Sequence, residues 1–598
     1  MTQRNLELAL IGNCAIGALI DKKAEVVWCC FPRFDGDPIF CSLLKDGETR
    51  SLTGTYTIEL DNFSHSEQHY LKNTAILITT LYDTQGNSVT VTDFIPRFNQ
   101  FDRTFRPISL HRKLTPSGRP KIKVLARPAH SDGAKTFDKI QGSHHISYVS
   151  DKFSLRLTTD LSVSAILDET WFILDSEHYL LLGDNESINE SIKQLSDRFY
   201  SATESYWLEW SRYLAIPFEW QDAVIRAAIT LKLSAFEDTG AIIAAMTTSI
   251  PEAPDTERNW DYRFCWLRDS YFTVHALNRL GATRTMEQYL HYLVNIVAEM
   301  DDEYLQPVFC INGTKQMTER IVTQLPGYRG MGPVRMGNQA AEQIQHDVYG
   351  AIVLSATQMF FDERIRHPGG KPLFELLETI GEKAASYYNQ PDAGLWELRG
   401  SKNVHTFSSM MCWAAADRLA KIAKRLELAE RHSYWQGIAN KIREAIDEHG
   451  FNPSLNAYTA TWGGNTMDAS LLLACELGFV DGTAPRFIGT IAEIENQLMP
   501  QGSKYLFRYI IEDDFGIPEN AFTICSFWYI DALAASGRKD EARVLFEDLL
   551  SKRNHLGLMS EDLNPITGEL WGNFPQTYSM VGIINSARHL SKCWEQEL

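Results

Sequence analysis

RNWDYRFCWLRDS, residues 258–270, ends a long loop and runs into a helix. It holds two Trp, one Tyr, one Phe, three Arg and two Asp. Rings that stack on the C–H faces of a sugar, with guanidinium forks and carboxylates for its hydroxyls, suit a pocket for a polyhydroxylated ring. The plainer alternative is a helix start with an aromatic core contact, Asp269 serving the dipole of the first turn. What flanks the stretch decides between them.

On its C-terminal side the chain is helical. The apolar period predicts segments at 220–236, 269–280, 284–299, 340–361, 373–388, 406–424, 427–447, 467–477, 484–495, 520–536, 539–552 and 577–593. Several connections, 237–268, 300–339, 388–405, 496–519 and 553–576, exceed the usual ceiling of about 12–15 residues for a structureless loop, which marks them as functional. Short and long connections in alternation fit a double ring, six helices inside six, with the long loops gathered at one end. An open helical array is the alternative.

On the N-terminal side the pattern is β. Runs rich in Val, Ile, Thr and aromatics, such as 25–31, 55–60, 75–82, 88–95, 108–114, 121–126, 153–158, 162–167 and 178–182, recur between turn signals such as DTQGN at 83–87. They predict a large antiparallel sandwich. Residues 186–212 switch to a helical period and read as the way out of it. The expectation is a multidomain β + α chain: an antiparallel β-sandwich over 1–185, a helical linker over 186–215 and a helical domain over 216–598.

Composition narrows the function. A chain of 598 residues is too long for a single core. A net charge of −19, without clustered Lys or Arg, argues against nucleic acid or an anionic membrane as partner. No apolar run approaches the roughly 18 residues of a membrane span. Glu7 and Asn13 interrupt the apolar N-terminal stretch, which reads as a strand pair and not a leader. The ten Cys are scattered, with no CxxC pair and no zinc spacing, so buried thiols in a reducing compartment, the cytoplasm, are expected. No phosphate loop, GxSxG elbow, HExxH or EF-hand loop is present.

Three further loops carry candidates. In 388–405, Glu397 follows Trp396, and a carboxyl against an apolar ring is desolvated, which raises its pKa and suits a general acid. A rim salt bridge between Glu397 and Arg399 is the bland alternative. In 557–576, Glu561, Asp562 and Glu569 lie near Trp571 and Asn573; two carboxyls facing each other across a cleft hydrolyse glycosidic bonds. In 325–350, Arg329, Arg335, Gln345, Asp347 and Tyr349 are candidates to line the cleft. Taken singly, each also reads as a solvated loop charge or a helix-face residue.

Together these stretches resemble glycoside hydrolase family 15, the glucoamylases, glucodextranases and a bacterial trehalase-like branch. The resemblance rests on DTGAIIAAMTTSIPEAP with RNWDYRFCWLRDS, LPGYRGMGPVRMGNQAAEQIQHDVYG, GLWELRG, MMCWAAADR, ICSFWYIDALA and SEDLNPITGELWGNFPQTYS, in the family's order over 238–590. GNCAIGALIDKKAEVVWCCFPRFDGDPIF, from residue 12, looks like the trehalase-like N-terminal domain. The resemblance implies a β-sandwich followed by an (α/α)6 barrel. It implies Glu397 as general acid, Glu561 as general base, and Arg268 with Asp269 as the pair holding the innermost sugar. It also implies inversion, with no metal or organic cofactor. Trp260, Tyr262 and Trp266 become shape-givers around that pair, with Arg329, Asp347, Trp396, Arg399 and Trp571 as further substrate contacts.

Two positions depart from the pattern. Leu398 stands where fungal glucoamylases carry a second Glu, which fits the trehalase-like branch better than a starch enzyme. Ser409 stands where the bacterial branch tends to carry Lys, a change expected to alter a leaving-group subsite. The expected function is exo-acting, inverting hydrolysis of α-glucosides, trehalose or a short α-glucan, with a small carbohydrate as the partner and self-association left open. The rivals are a glycoside phosphorylase, which needs one acid and a cationic phosphate pocket, and a non-catalytic sugar-binding protein.

Overall fold

A computed structural model describes residues 4–45, 53–299, 304–500 and 502–594. Its N-terminal part is two antiparallel sheets. The larger runs, in spatial order, Asp138–Gln141, His145–Val149, Ser154–Thr159, His178–Asp184, Ser109–Ser117, Ser88–Phe94, Leu77–Asp83 and Phe63–Tyr70. Leu77–Asp83 shows the logic: buried and half-buried residues alternate, so one face meets a core. The smaller sheet runs Leu8–Gly12, Gly17–Asp21, Val26–Phe31, Thr55–Leu60, Lys121–Arg127 and Phe172–Ile173, with Asp37–Phe40 paired to Val26–Phe31.

LALIG and VVWCCF are buried throughout, because the smaller sheet is covered on both faces. Ile11, Ala18 and Val26 share a core with Val91, Leu157 and Leu182 of the larger sheet. Leu10, Leu19 and Trp28 point the other way, into a core with Leu233, Phe236 and Met246 of the helical part. The β domain is therefore packed against the helices and not tethered to them. One expected strand is helical: Ser162 accepts from the N–H of Ala165 and caps a single turn, Val163–Leu167.

Helix α1, Ile192–Arg212, leads out of the sheets, its N-terminus capped by Ser191. Beyond it stand α2 (Gln221–Leu233), α3 (Leu267–Arg279), α4 (Thr283–Ala298), α5 (Asp347–Phe361), α6 (Lys371–Tyr387), α7 (Thr406–Arg425), α8 (Ala429–His449), a 3₁₀ segment (Ala469–Ala474), α9 (Pro485–Leu498), α10 (Thr523–Ala535), α11 (Lys539–Leu550) and α12 (Thr577–Leu590). Helices α3, α5, α7, the 3₁₀ segment, α10 and α12 contact one another in that order, and α12 returns to α3, closing an inner ring. The intervening helices pack outside it. The inner helices are buried on nearly every face, whereas α9 and α4 bury one stripe. Inner helices approach closely where side chains vanish. A Cβ at Gly350 of α5 would lie 2.4 Å from the Met411 carbonyl of α7, and one at Gly582 of α12 would lie 2.2 Å from Phe527 of α10.

Two helix predictions need correction. Within 467–477 only Ala469–Ala474 is helical, and as a 3₁₀ segment, because Asp468 caps the N–H and hydroxyl of Ser470 and pins a tight turn. Residues 340–346 are not part of α5; a short 3₁₀ turn, Gln339–Glu342, precedes it. Every inner helix begins where a long loop ends, so the loops before Leu267, Asp347, Thr406, Thr523 and Thr577 collect at one end of the ring. Short ribbons stitch them together: Cys265–Trp266 pairs with Val308–Phe309, and Asp562–Leu563 lies between Ala521–Phe522 and Leu570–Trp571.

Among the described residues no helix is long and apolar enough to cross a membrane. No disulfide joins the ten cysteines; Cys593 is exposed, Cys475 half-buried and the others buried.

Candidate active site

The loops enclose a pocket of about 810 Å3, counting its open mouth. Its floor comes from the stretch 258–270. Trp266, just before α3, donates its indole N–H to Glu397 Oε1 at 2.6 Å, and Tyr262 donates its hydroxyl to Glu561 Oε1 at 2.6 Å. The two rings meet edge to face, 5.3 Å between centroids. Carboxyls 164 positions apart in sequence are thus docked on one aromatic pair.

Glu397 sits in the left-handed region, φ 63°, a conformation that costs a non-glycine residue about 1–3 kcal/mol and persists only where the surroundings impose it. Here Gln343 donates to its carbonyl at 3.0 Å and Gln345 reaches Oε1 at 3.5 Å. Burial pushes its carboxyl above the ordinary range, opposed by Arg268, whose Nη2 lies 3.6 Å from Oε1. No ion pair joins it to Arg399: the Arg399 guanidinium turns to Glu319 at 2.9 Å and Gln339 at 2.9 Å.

Arg268 is itself fixed. Its Nη1 donates to Gln345 Oε1 at 2.9 Å and to Asp347 Oδ2 at 3.1 Å, Asp347 being the first residue of α5. Arg268 and Asp269 line the pocket together, with Arg268 Nε and Asp269 Oδ2 forming a shielded ion pair at 3.6 Å. Burial pushes Asp269 up to about 7, despite the charge of Arg268.

Glu561 is completely buried behind Tyr262. Its backbone is held by the ribbon, N–H to Asn573 O at 3.1 Å and O from Thr523 N–H at 2.9 Å, and Oε2 accepts from Asn573 N–H at 3.2 Å. Gly572, at φ 73°, passes so close that a Cβ there would lie 2.7 Å from Glu561 Cβ. Burial, then the charge of Glu252, pushes Glu561 up to about 8.

Of the other candidates, Trp260, Trp396, Arg399 and Leu398 line the pocket, and Asp347 braces Arg268 from behind. Trp396 donates to Asp468 at 2.8 Å. Arg329 and Trp571 do not line it. The Arg329 guanidinium lies 4.9 Å from the Trp571 ring, bonds Glu569 at 2.7 Å and the Arg4 carbonyl at 2.5 Å, and so ties the N-terminus to the loop behind Glu561. Arg335 likewise serves backbone carbonyls, those of Glu257 and Asn259. Ser409 is buried in α7, donating to the Tyr388 carbonyl at 2.6 Å, and is absent from the pocket wall. Sequence reasoning missed Glu252 and Arg508, which line the pocket as a buried ion pair at 2.6 Å, with Trp260 also donating to Glu252 at 3.1 Å. The only signal was that both fall in long loops.

This geometry, one half-buried carboxyl in the wall of a sugar-sized aromatic pocket and a second buried behind its Tyr262, on a closed helical ring, is that of a glycoside hydrolase. Residues 220–588 match the model of the glycosyl hydrolases family 15, and residues 3–158 match that of the trehalase-like N-terminal domain. The chain belongs to glycosyl hydrolases family 15 and is an inverting O-glycosyl hydrolase of α-glucosidic bonds. Among its relatives are the trehalases of Thermoplasma acidophilum, 31% identical over 96% of this chain and 98% of theirs, Thermoplasma volcanium, 30% over 97% and 93%, and Mycobacterium tuberculosis, 30% over 99% and 90%. A bacterial glucoamylase in complex with acarbose shares the fold, with a TM-score of 0.68 at 13% identity over 98% of this chain and 94% of that one.

Proposed function

We propose that this enzyme hydrolyses trehalose or a short α-glucan from its non-reducing end, with Glu397 as general acid and Glu561 as general base. The observation that carries the reading is the shared docking of both carboxyls on Trp266 and Tyr262. Glu397 protonates the departing oxygen. Glu561, on the far side of the ring pair, takes a proton from the water that attacks the anomeric carbon. Oxygen passes from water to that carbon, the C–O bond to the leaving sugar breaks, and the anomeric centre inverts. Arg268 and Asp269, which line the pocket side by side, hold the sugar whose bond is cut. Trehalose is favoured by the relatives, whose names are trehalase, and by Leu398, which lines the pocket where a second acid would serve a glucan chain. The free thiols fit a reducing compartment, the cytoplasm.

The test is a panel of trehalose, maltose, isomaltose and longer glucans followed by NMR, which also reports the anomer released first. Glu397→Gln and Glu561→Gln should each lower turnover by roughly 10²–10⁴-fold with substrate binding nearly intact. Full activity of Glu397→Gln on an unactivated substrate would remove the assignment. Release of a sugar phosphate only when phosphate is present would make the enzyme a phosphorylase.

A further inference from the structure

We propose that Arg399 and Phe515 roof the leaving-group side of the pocket and confine the enzyme to disaccharide-sized α-glucosides. The proposal rests on Glu397 being the acid. The acid touches the oxygen that departs, so the residues just after it, Leu398 to Gly400, border the leaving sugar.

That short segment meets two other loops. The Arg399 guanidinium lies 4.5 Å from the Trp260 ring and 5.8 Å from Phe515, whose own rings meet edge to face at 5.0 Å. Glu319 and Gln339 grip the guanidinium from behind. Phe515 is no loose rim residue. Asp513, two residues earlier, accepts from Arg258 Nη1 at 2.9 Å and Nη2 at 2.6 Å and from the Tyr509 hydroxyl, and Arg258 also reaches the Gly516 carbonyl at 2.6 Å. The Arg258 and Asp513 side chains are nearly buried, so the bidentate pair is shielded from water. Gly400 presses on the same loop: a Cβ there would lie 2.4 Å from Asp514 Oδ1.

These residues stand at the mouth. Arg399 and Asp514 are exposed and Trp260, Leu398 and Phe515 half-buried, while Trp266, Arg268 and Asp269 at the floor are buried. One glucose leaving from Glu397 fits beneath this roof, with the Trp260 and Phe515 rings to stack on. A longer glucan must thread between three loops that are bonded to one another, which requires parting the stacked cation and rings.

The measurement is kcat/KM for trehalose, maltose, maltotriose and maltopentaose, in the wild type, Phe515→Ala and Arg399→Lys. Arg399→Lys keeps the charge and loses the planar stack. Circular dichroism and thermal unfolding serve as the control for folding, and the ratio of maltose to maltopentaose kcat/KM cancels any loss common to both substrates. The wild type should discriminate against maltopentaose by about a hundredfold, and the variants should narrow that ratio by about tenfold. Equal turnover of maltopentaose by the wild type, or a ratio unchanged in both variants, overturns the proposal and leaves Glu397 and Glu561 in place. If no α-glucoside is turned over, the hydrolase assignments of the two carboxyls fall instead, and the roof is tested alone by calorimetric titration of trehalose and maltopentaose. Equal affinities, or none for the disaccharide, overturn it.

Discussion

Glu252 stands in the pocket wall between Trp260, which donates to it, and Arg508, which grips it with both terminal nitrogens, at 2.6 and 3.3 Å. Tyr262, Asn573, Asp562, Arg508 and Glu252 are the groups whose fields Glu561 feels. Burial raises its proton affinity most, and the negative charge of Glu252 comes next. With Glu561 as the proposed base, which works only ionised, the acid limb of the kcat/KM profile should follow Glu561 and lie above the ordinary carboxylate range. In Glu252→Gln one repulsive charge is gone and Arg508 is no longer neutralised. Both changes favour the carboxylate, so the acid limb should move to lower pH by about one pH unit. A limb that stays put, or moves up, would detach Glu252 from the base. Nothing in the chain order announces this residue. TSIPEAP reads as a loop with one charge, and the partner that gives Glu252 its role lies 256 positions away. Arg329 and Trp571 show the converse. Each is the right residue type in the right loop, yet they face one another behind the ribbon, which only the pairing of Asp562–Leu563 with Leu570–Trp571 decides.

At the scale of elements, the loop carrying Glu397 is held by a buried His–carboxylate pair. His405 Nδ1 lies 2.7 Å from Asp392 Oδ1, and Asp392 Oδ2 accepts from the Ser408 hydroxyl at 2.7 Å and the His346 N–H at 2.9 Å. Gly394, at φ 67°, runs against the His405 ring, where a Cβ would lie 2.9 Å from its nearest atom. Burial alone would lower the pKa of His405; the bond to Asp392 and the charges of Asp392, Asp468 and Asp347 outweigh it and leave the value raised. A group with a raised folded-state pKa contributes its full stability below the unfolded value and loses it as pH rises through the folded value. The loop should therefore loosen on the alkaline side, above the usual imidazole range. Hydrogen exchange in 392–405 should quicken there in the wild type and show no such step in His405→Gln. An identical pH dependence in the variant would assign the loosening to another group. Gly394→Ala should lower kcat by about tenfold, from a strain of roughly 1–3 kcal/mol, and change KM little, because it displaces the proposed acid, Glu397, and not the floor. The helices around this loop were legible from their period, since amphipathic and fully apolar segments both repeat near 3.6 residues. The 3₁₀ segment was not: SLLLA has the composition of a helix, and the cap from Asp468 that tightens it is a geometric event.

At the scale of the whole molecule, the β domain braces the catalytic end of the ring. The split into sheets and helices was readable because each has its own period. That the smaller sheet would be buried on both faces could be suspected from VVWCCF, but not what would cover it. The cover is the loop leading to the opening stretch. Trp28 donates its indole N–H to the Met246 carbonyl at 2.9 Å, and a Cβ on Gly17 would lie 2.7 Å from Met246 Sδ. Arg263, inside RNWDYRFCWLRDS, bonds both oxygens of Asp261 and reaches across to the Gly36 carbonyl at 3.1 Å. The floor that holds Glu397 and Glu561 is thus set from the far side by the sheet. Trp28→Ala empties a site that is 1% exposed and should cost about 3–5 kcal/mol. If the sheet is a brace, that variant, assayed at a temperature where it remains folded, should also lose kcat. Trp28→Phe should recover most of the stability, because the ring refills the space, and only part of kcat, because the indole bond to Met246 is missing. Chemical denaturation with parallel kinetics separates the two effects. Were Trp28→Ala to lose stability while each folded molecule kept full turnover, the β domain would be a neighbour of the active site and not part of its support.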